Sequence, residues 1–310
     1  MKSFSIIIML LLLGCSISCT AQKKEAISTT EIAFLYNTDS LLHHVRILSS
    51  DVFEGRRTGT TGALKAKDYI VSKLQKLQVK PLVENYEQSF SFSSRKKDYQ
   101  GVNILGLISG SDYPEKYIVI SAHYDHEGIK NGQIYNGADD DASGVSAMLA
   151  FAEYFQKHQP KHSVILAFFD AEELGLQGSR YYVDNTIEPL ESIKLNMNMD
   201  MVSRNDKNEL YITGARDNEA FKNAIENQDT SEGFKFLMGH DGKDGKQNWT
   251  FSSDHGSFFR KGIPFLYFGV EDHNDYHRPT DDYENIHPEF YKLVVQNIIS
   301  LFTEIDALNL

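Results

Sequence analysis

The chain has 310 residues, of which 41% are hydrophobic and 24% charged, a composition typical of a globular protein with a substantial core. Its formal net charge is −12 at pH 7, which argues against nucleic acid or an anionic membrane surface as the main partner. Both cysteines, Cys15 and Cys19, lie near the N-terminus, so no disulfide can form within the rest of the chain.

The first residues have the features of an export signal. Lys2 precedes an apolar segment that is too short for a comfortable membrane span. Leu12-Leu13-Gly14-Cys15 resembles a bacterial lipobox, in which the cysteine becomes the lipidated first residue, and the sequence that ends at Cys19 is a looser version. We therefore expect export and a lipid anchor at one of these cysteines, in the periplasm or at the cell surface.

Three segments are predicted along the chain. Residues 1–19 form a lipoprotein-type signal peptide, 20–35 a polar tether, and 36–310 a single domain, because neither an internal repeat nor a long linker interrupts that last stretch. Simple secretion after cleavage near Ala21 is the alternative to a lipid anchor.

Helices and strands alternate in the predicted order of elements. A helix capped by Asp39 or Ser40 and a second helix over 62–77 precede a hairpin of strands at 88–92 and 102–108. The later elements are strands at 118–122, 164–169, 195–199, 210–213 and 264–268, with helices at 142–158, at 219–228 and from Pro288 onward. This alternation predicts a three-layer α/β fold, with a mostly parallel central sheet and helices on both faces.

Potential metal ligands follow the buried strands of this sheet. They are His123 after the first, Glu172 and Glu173 after the second, Asp200 after the third, and His277 beyond the last. Ligands of open α/β sheets collect at the carboxyl ends of the strands, so we expect a metal site at that edge.

The loop at Asp139–Asp141 carries three consecutive aspartates, which repel one another if they are left unpaired. A bound divalent cation would remove that repulsion. The alternative is that the aspartates only cap the helix that follows, because acidic residues are favoured at helix N-termini.

Five motifs occur in an order that resembles the di-zinc aminopeptidase family, which includes bacterial leucyl aminopeptidases and the glutamate carboxypeptidases. The motifs are His123-Tyr124-Asp125, Gly137 through Gly144, Asp170 through Gly175, Asn198-Met199-Asp200 and Asp275-Tyr276-His277. The resemblance covers nearly the whole chain after the N-terminal segment. It implies a hydrolase, a metallopeptidase whose catalytic domain is 36–310, with two zinc ions and with peptides that have a free N-terminus as substrates.

The resemblance also assigns roles to residues. Asp140 matches a carboxylate that bridges the two zinc ions, His123 and Asp200 match the other ligands of one ion, and Glu173 and His277 match those of the other. Zinc in catalytic sites takes His nitrogen and carboxylate oxygen and keeps a position open for water. A pair of ions needs two imidazoles, two terminal carboxylates and one bridging carboxylate. The motifs supply each of these once, and no assigned ligand is left over.

Three further residues receive roles from the same motifs. Glu172 matches the general base, Tyr276 a tyrosine that stabilises the transition state, and Asp125 a carboxylate that accepts a hydrogen bond from His123. Each has an alternative: Glu172 could lie in a solvated acidic turn, Tyr276 could be a packed aromatic residue, and Asp125 could cap the loop. We interpret Ser253-Asp254-His255 as a pocket wall rather than a catalytic triad, because triad members usually come from separate loops.

Three functions remain open at this level. The first is an aminopeptidase that holds the substrate ammonium group with acids such as Asp139, Asp141, Asp170 or Asp275. The second is a glutaminyl cyclase with a single zinc ion, and the third is a binding protein in which metals are structural or absent. A carboxypeptidase of the same family would need cationic groups, for which Arg204 and Arg216 are available.

Overall fold

The computed structural model describes residues 33–231 and 233–310, of which Phe34–Leu310 form one compact unit. The predicted signal peptide, most of the predicted tether, and Cys15 and Cys19 lie outside the described residues, so export and lipid anchoring stay predictions. Within the described ranges, no helix is both long and apolar enough to cross a membrane.

A mixed sheet of nine strands forms the centre of the molecule. Its strands are β1 (Lys80–Pro81), β2 (Glu87–Ser94), β3 (Lys97–Ile108), β4 (Tyr113–His123), β7 (His162–Phe169), β8 (Ile193–Met199), β9 (Glu209–Thr213), β10 (Lys235–Met238) and β11 (Phe265–Gly269). The order across the sheet is β1-β3-β7-β4-β8-β11-β9-β10, with β2 paired to β3. The short strands β5 (Gly128–Lys130) and β6 (Gln133–Tyr135) form a separate hairpin.

Helices cover both faces of this sheet. They are α1 (Thr38–Leu48), α2 (Thr61–Lys76), α3 (Gly144–Phe155), α4 (Gln177–Asp184), α5 (Glu219–Glu226), α6 (His255–Arg260) and α7 (Pro288–Asp306). Alternate side chains of β4 belong to different cores: Ile118 and Ile120 pack with α3 and α7, whereas Val119 packs with α4 and α6. A strand that is buried on both faces has a nearly continuous apolar sequence, which explains the apolar runs of the sequence pattern. The helices on both faces confirm the predicted layered α/β fold.

The four central strands, β7, β4, β8 and β11, run parallel to one another, and antiparallel pairing is confined to the flanks. Their register places the strand ends together. His123 at the end of β4 pairs with Phe169 at the end of β7, and Met199 at the end of β8 pairs with Phe268. The residues that follow these ends therefore meet at one edge of the sheet, as predicted.

Two predicted helix starts are wrong. The side chain of Asn37, rather than Asp39 or Ser40, caps α1 by accepting a hydrogen bond from the Ser40 amide at 2.9 Å. The helix predicted from residue 142 begins instead at Gly144, because an irregular helical turn over Ala138–Ser143 precedes it. This turn carries the three aspartates, and its Asp140–Asp141 peptide bond is cis.

Arg56 is a fully buried arginine that fixes the loops beside this sheet edge. Its guanidinium donates hydrogen bonds of 2.5–2.9 Å to the backbone carbonyl oxygens of Leu48, Tyr124, Asn136 and Gly137. Tyr124 lies in the turn after β4, and Gly137 immediately precedes the aspartate loop. One side chain thus ties together the two segments that carry His123 and Asp140.

We expect Arg56→Met to lower the free energy of unfolding by about 3–5 kcal/mol, because it leaves several buried carbonyl groups without a donor. Urea unfolding measures the change. Arg180→Met, at an exposed position on α4, is the matched control and should change stability by less than about 0.5 kcal/mol. A loss below about 1 kcal/mol in Arg56→Met would show that the four bonds contribute little.

Candidate metal centre

One cluster of potential ligands surrounds the end of β4. The imidazole Nε2 of His123 lies 3.2 Å from Asp140 Oδ1 and 3.5 Å from Asp200 Oδ1. All three residues are buried, with exposed fractions of 1%, 3% and 7%. The structure therefore brings together the three residues that the resemblance assigned to one ion.

A second cluster lies on the other side of the same aspartate. Asp140 Oδ2 is 3.1 Å from His277 Nε2, and that nitrogen is 3.3 Å from Glu173 Oε1. A residue that the motifs did not single out, His126, joins this cluster: its Nδ1 lies 3.0 Å from Glu173 Oε1 and 3.7 Å from Asp140 Oδ2. This cluster therefore contains one imidazole more than the predicted ligand set.

The aspartate loop is held by a second acid. Asp281 accepts hydrogen bonds from the Asp139 amide at its Oδ1 and from the Asp140 amide at its Oδ2, both at 3.0 Å. The Asp139 carboxylate turns away to Ser203 and to His273 Nε2, which is 3.0 Å distant. The backbone is thus fixed without use of the Asp140 side chain, which remains directed between the two clusters.

Asp125 supports both the histidine and the glutamates, but through different atoms from those predicted. His123 Nδ1 lies 3.1 Å from the backbone carbonyl oxygen of Asp125, whereas the carboxylate is 3.7 Å away. That carboxylate instead accepts hydrogen bonds from the Glu172 amide at 3.0 Å and the Glu173 amide at 3.3 Å. The predicted carboxylate–imidazole bond is therefore replaced by a carbonyl contact, because the side chain holds the loop after β7.

The two clusters open into a cavity of about 240 Å³. Its lining residues are His123, Asp140, Glu172, Asp200, Met201, Gln247, Trp249, Ser252, Tyr267, Val270, Asp272, Tyr276 and His277. Tyr276 stacks on the His277 ring with 4.0 Å between ring centroids. His255 does not line the cavity; its Nε2 lies 2.8 Å from the carbonyl oxygen of Trp249 and supports the wall from behind.

The two adjacent glutamates have pKa values that move in opposite directions. Burial raises the pKa of Glu172 well above its usual range, and the charge of His123 offsets this only in part. Burial and Asp140 also oppose ionisation of Glu173, but the imidazoles of His126 and His277 lower its pKa to about 2. The environment thus moves the pKa values of two adjacent carboxyl groups apart.

The donor set fits divalent metal ions. Burial would raise the pKa of Asp140, yet His126, His123 and His277 hold it well below its usual range. Glu173 Oε1 and both ring nitrogens of His126 are buried and have no hydrogen-bond partner within residues 33–231 and 233–310. Buried polar atoms normally have partners, and carboxylate and imidazole are the ligands that zinc takes together. Bound ions would give these unpaired atoms partners.

The acids that the sequence suggested for the substrate ammonium group lie elsewhere. Asp139, Asp141, Asp170 and Asp275 are absent from the cavity lining. Asp170, for example, accepts hydrogen bonds from the Thr58 hydroxyl at 2.8 Å and the Val102 amide at 3.0 Å. Apart from the predicted base, the lining carboxylate that belongs to neither cluster is that of Asp272.

Sequence reasoning missed His126, Asp281 and Asp272. His126 had a signal, because it directly follows the His123-Tyr124-Asp125 motif in a chain with only eleven histidines. Asp281 had none, since its partners Asp139 and Asp140 are remote in sequence. Asp272 had none either, since its place in the cavity lining depends on how the loop after β11 folds back.

Solved structures share this fold. A zinc aminopeptidase from Bacillus subtilis superposes with a TM-score of 0.71 at 18% identity, covering 88% of this chain and 96% of that one. A glutaminyl cyclase from Porphyromonas gingivalis gives 0.73 at 19% identity, covering 88% and 100%. At such identities the likeness shows the fold alone.

Sequence comparisons identify the family. Aminopeptidase YwaD from Bacillus subtilis is 31% identical over 202 residues, 60% of this chain and 41% of YwaD. A vacuolar membrane protease from Saccharomyces cerevisiae is 33% identical over 112 residues, 36% of this chain and 11% of that protein. This chain thus spans less than half of either relative. Residues 103–302, well over half of the chain, match peptidase family M28, and we conclude that the protein belongs to that family.

Proposed function

We propose that this chain is a di-zinc exopeptidase that removes the N-terminal residue of peptides. The position of Asp140 carries the proposal, since its Oδ1 faces the cluster of His123 while its Oδ2 faces the cluster of His277. A carboxylate shared in this way would suit a pair of ions, one at each cluster. Bound zinc ions would polarise the scissile carbonyl group and lower the pKa of the attacking water.

Glu172 is the general base in this proposal. Its carboxyl group lines the cavity, and its raised pKa suits a group that takes a proton from the attacking water and delivers it to the leaving amine. The bonds from its amide and that of Glu173 to Asp125 fix the loop that presents it. Tyr276 also lines the cavity and would donate a hydrogen bond to the oxygen on which negative charge develops.

Selection for a free N-terminus requires an acid near the clusters, and Asp272 is suitably placed in the lining. The apolar side chains of Met201, Trp249 and Val270 form the neighbouring wall, which suits an apolar N-terminal residue. A free ammonium group would pair with Asp272, whereas an acetyl cap would leave that carboxylate unmatched.

We expect leucyl peptides with a free N-terminus to have a kcat/KM at least about tenfold higher than their acetylated forms, since a hydrogen bond to a charged group contributes about 1.5–3 kcal/mol. Steady-state assays on matched peptide pairs measure the ratio. Asp272→Asn should reduce the ratio by lowering activity on the free peptides alone. Equal cleavage of free and capped peptides by the native protein would contradict the aminopeptidase proposal.

Glutaminyl cyclase is the second candidate, because a cyclase shares the fold over 88% of this chain. It would close the ring of N-terminal glutamine without hydrolysis, and a single bound ion would favour it. A carboxypeptidase is less well supported, since no lysine or arginine among the described residues lines the cavity. Arg204 pairs with Asp275, and Arg216 lies 2.7 Å from Asp241.

A further inference from the structure

We infer that His126 is a metal ligand and completes a set of four protein donors around one of the two ions. This inference rests on the proposed function, which needs only Asp140, Glu173 and His277 at that position. Four protein donors are typical of tightly held zinc, and the water that the proposed function needs would take a fifth position, which zinc accepts in some catalytic sites. The ion beside His277 would then be the more firmly retained of the two.

The environment of His126 leaves the imidazole without another role. The residue is fully buried, and neither ring nitrogen has a hydrogen-bond partner in the part of the chain that the structure describes. Burying a polar group without a hydrogen-bond partner is unfavourable. A ring that served only for packing would incur this cost at both nitrogens, whereas a ligand would satisfy one of them at the metal.

The distances within the cluster match a common metal shell. Zinc bonds of about 2.0–2.1 Å in a tetrahedron place neighbouring donor atoms about 3.3 Å apart. The separations are 3.0 Å for His126 to Glu173, 3.7 Å for His126 to Asp140, 3.1 Å for His277 to Asp140 and 3.3 Å for His277 to Glu173. His126 and Glu173 are close without forming a hydrogen bond, as expected for two side chains that both bind the same metal ion.

The backbone leaves space for this ring. Gly137 has a φ of +57°, and a Cβ atom there would lie 2.6 Å from the His126 ring and 2.1 Å from the Asp140 carbonyl oxygen. The Gly137 carbonyl oxygen is in turn held by Arg56 at 2.8 Å. The ring therefore occupies a slot between the loop after β4 and the aspartate loop, beside both other donors.

Metal content in His126→Ala tests the inference. Purified protein is equilibrated with zinc and graded amounts of a chelator, and bound zinc is counted by mass spectrometry. Loss of an outer partner of a ligand typically costs about 10–100-fold in affinity, so loss of a direct ligand should weaken one ion by more than about 100-fold. His162→Ala is the matched control, because His162 is also fully buried but pairs with Asp306 at the N-terminal end of β7.

A measurement on the native sequence avoids dependence on the folding of the variant. In cobalt-substituted protein, each coordinated imidazole contributes one exchangeable, paramagnetically shifted N–H signal in the proton NMR spectrum. A shifted signal assigned to His126 supports its coordination, and the absence of that signal while those of His123 and His277 are seen overturns it. Two ions with unchanged affinity in His126→Ala also overturn the inference but leave the di-zinc proposal intact. A single ion that depends on His126 would support the inference while contradicting the di-zinc proposal.

Discussion

Glu172→Gln should lower kcat by about 10²–10⁴-fold, because a positioned general base typically contributes that much. The amide has nearly the same shape as the carboxyl group but accepts no proton from the attacking water. KM should change little, since the base acts in the transition state and not in substrate binding. Steady-state kinetics on a free leucyl peptide, with zinc counted in the same samples, measure both effects.

The neighbouring glutamate provides the contrast for this experiment. Glu173→Gln changes the same group one residue along the chain, but Glu173 Oε1 lies 3.3 Å from His277 and 3.0 Å from His126. We therefore expect Glu173→Gln to lose zinc together with activity, whereas Glu172→Gln keeps its zinc. A near-normal kcat in Glu172→Gln would show that Glu172 is not the general base.

The sheet edge and its main clusters could be predicted because their signals are local. Apolar strands ending at His123, at Phe169 before Glu172, and at Met199 before Asp200 define a parallel core. The carboxyl ends of parallel strands must share an edge, so the strand pattern alone is enough to bring together ligands that lie far apart along the chain.

Features that depend on loop geometry could not be predicted in the same way. The carboxylate of Asp125 was expected to contact His123, but the turn presents the carbonyl oxygen instead and leaves the side chain for two amides. Arg56 and Asp281 form hydrogen bonds with backbone groups. Because such groups occur along the whole chain, the identity of the partner residues does not predict these bonds. Such contacts follow from the folded chain alone.

Asp140→Ala should abolish the binding of both ions, because each cluster loses an oxygen of the same side chain. Oδ1 lies 3.2 Å from His123 Nε2, and Oδ2 lies 3.1 Å from His277 Nε2. The remaining acids of both clusters would repel one another more strongly without the ions, which further opposes rebinding. Zinc content after dialysis should fall from about two ions per chain, the number that suits a bridged pair, to nearly none.

Asp140→Asn tests whether Asp140 binds an ion in each cluster or only lies between the two clusters. Its amide keeps one oxygen, which can serve one cluster, while the nitrogen that faces the other cannot bind a metal. We therefore expect one ion to remain in Asp140→Asn. The fold should persist in both variants, because Asp281 holds the loop through the amides of Asp139 and Asp140 and not through the side chain. If Asp140→Ala still bound two ions, this carboxylate would not bridge them, and the two clusters would be independent sites.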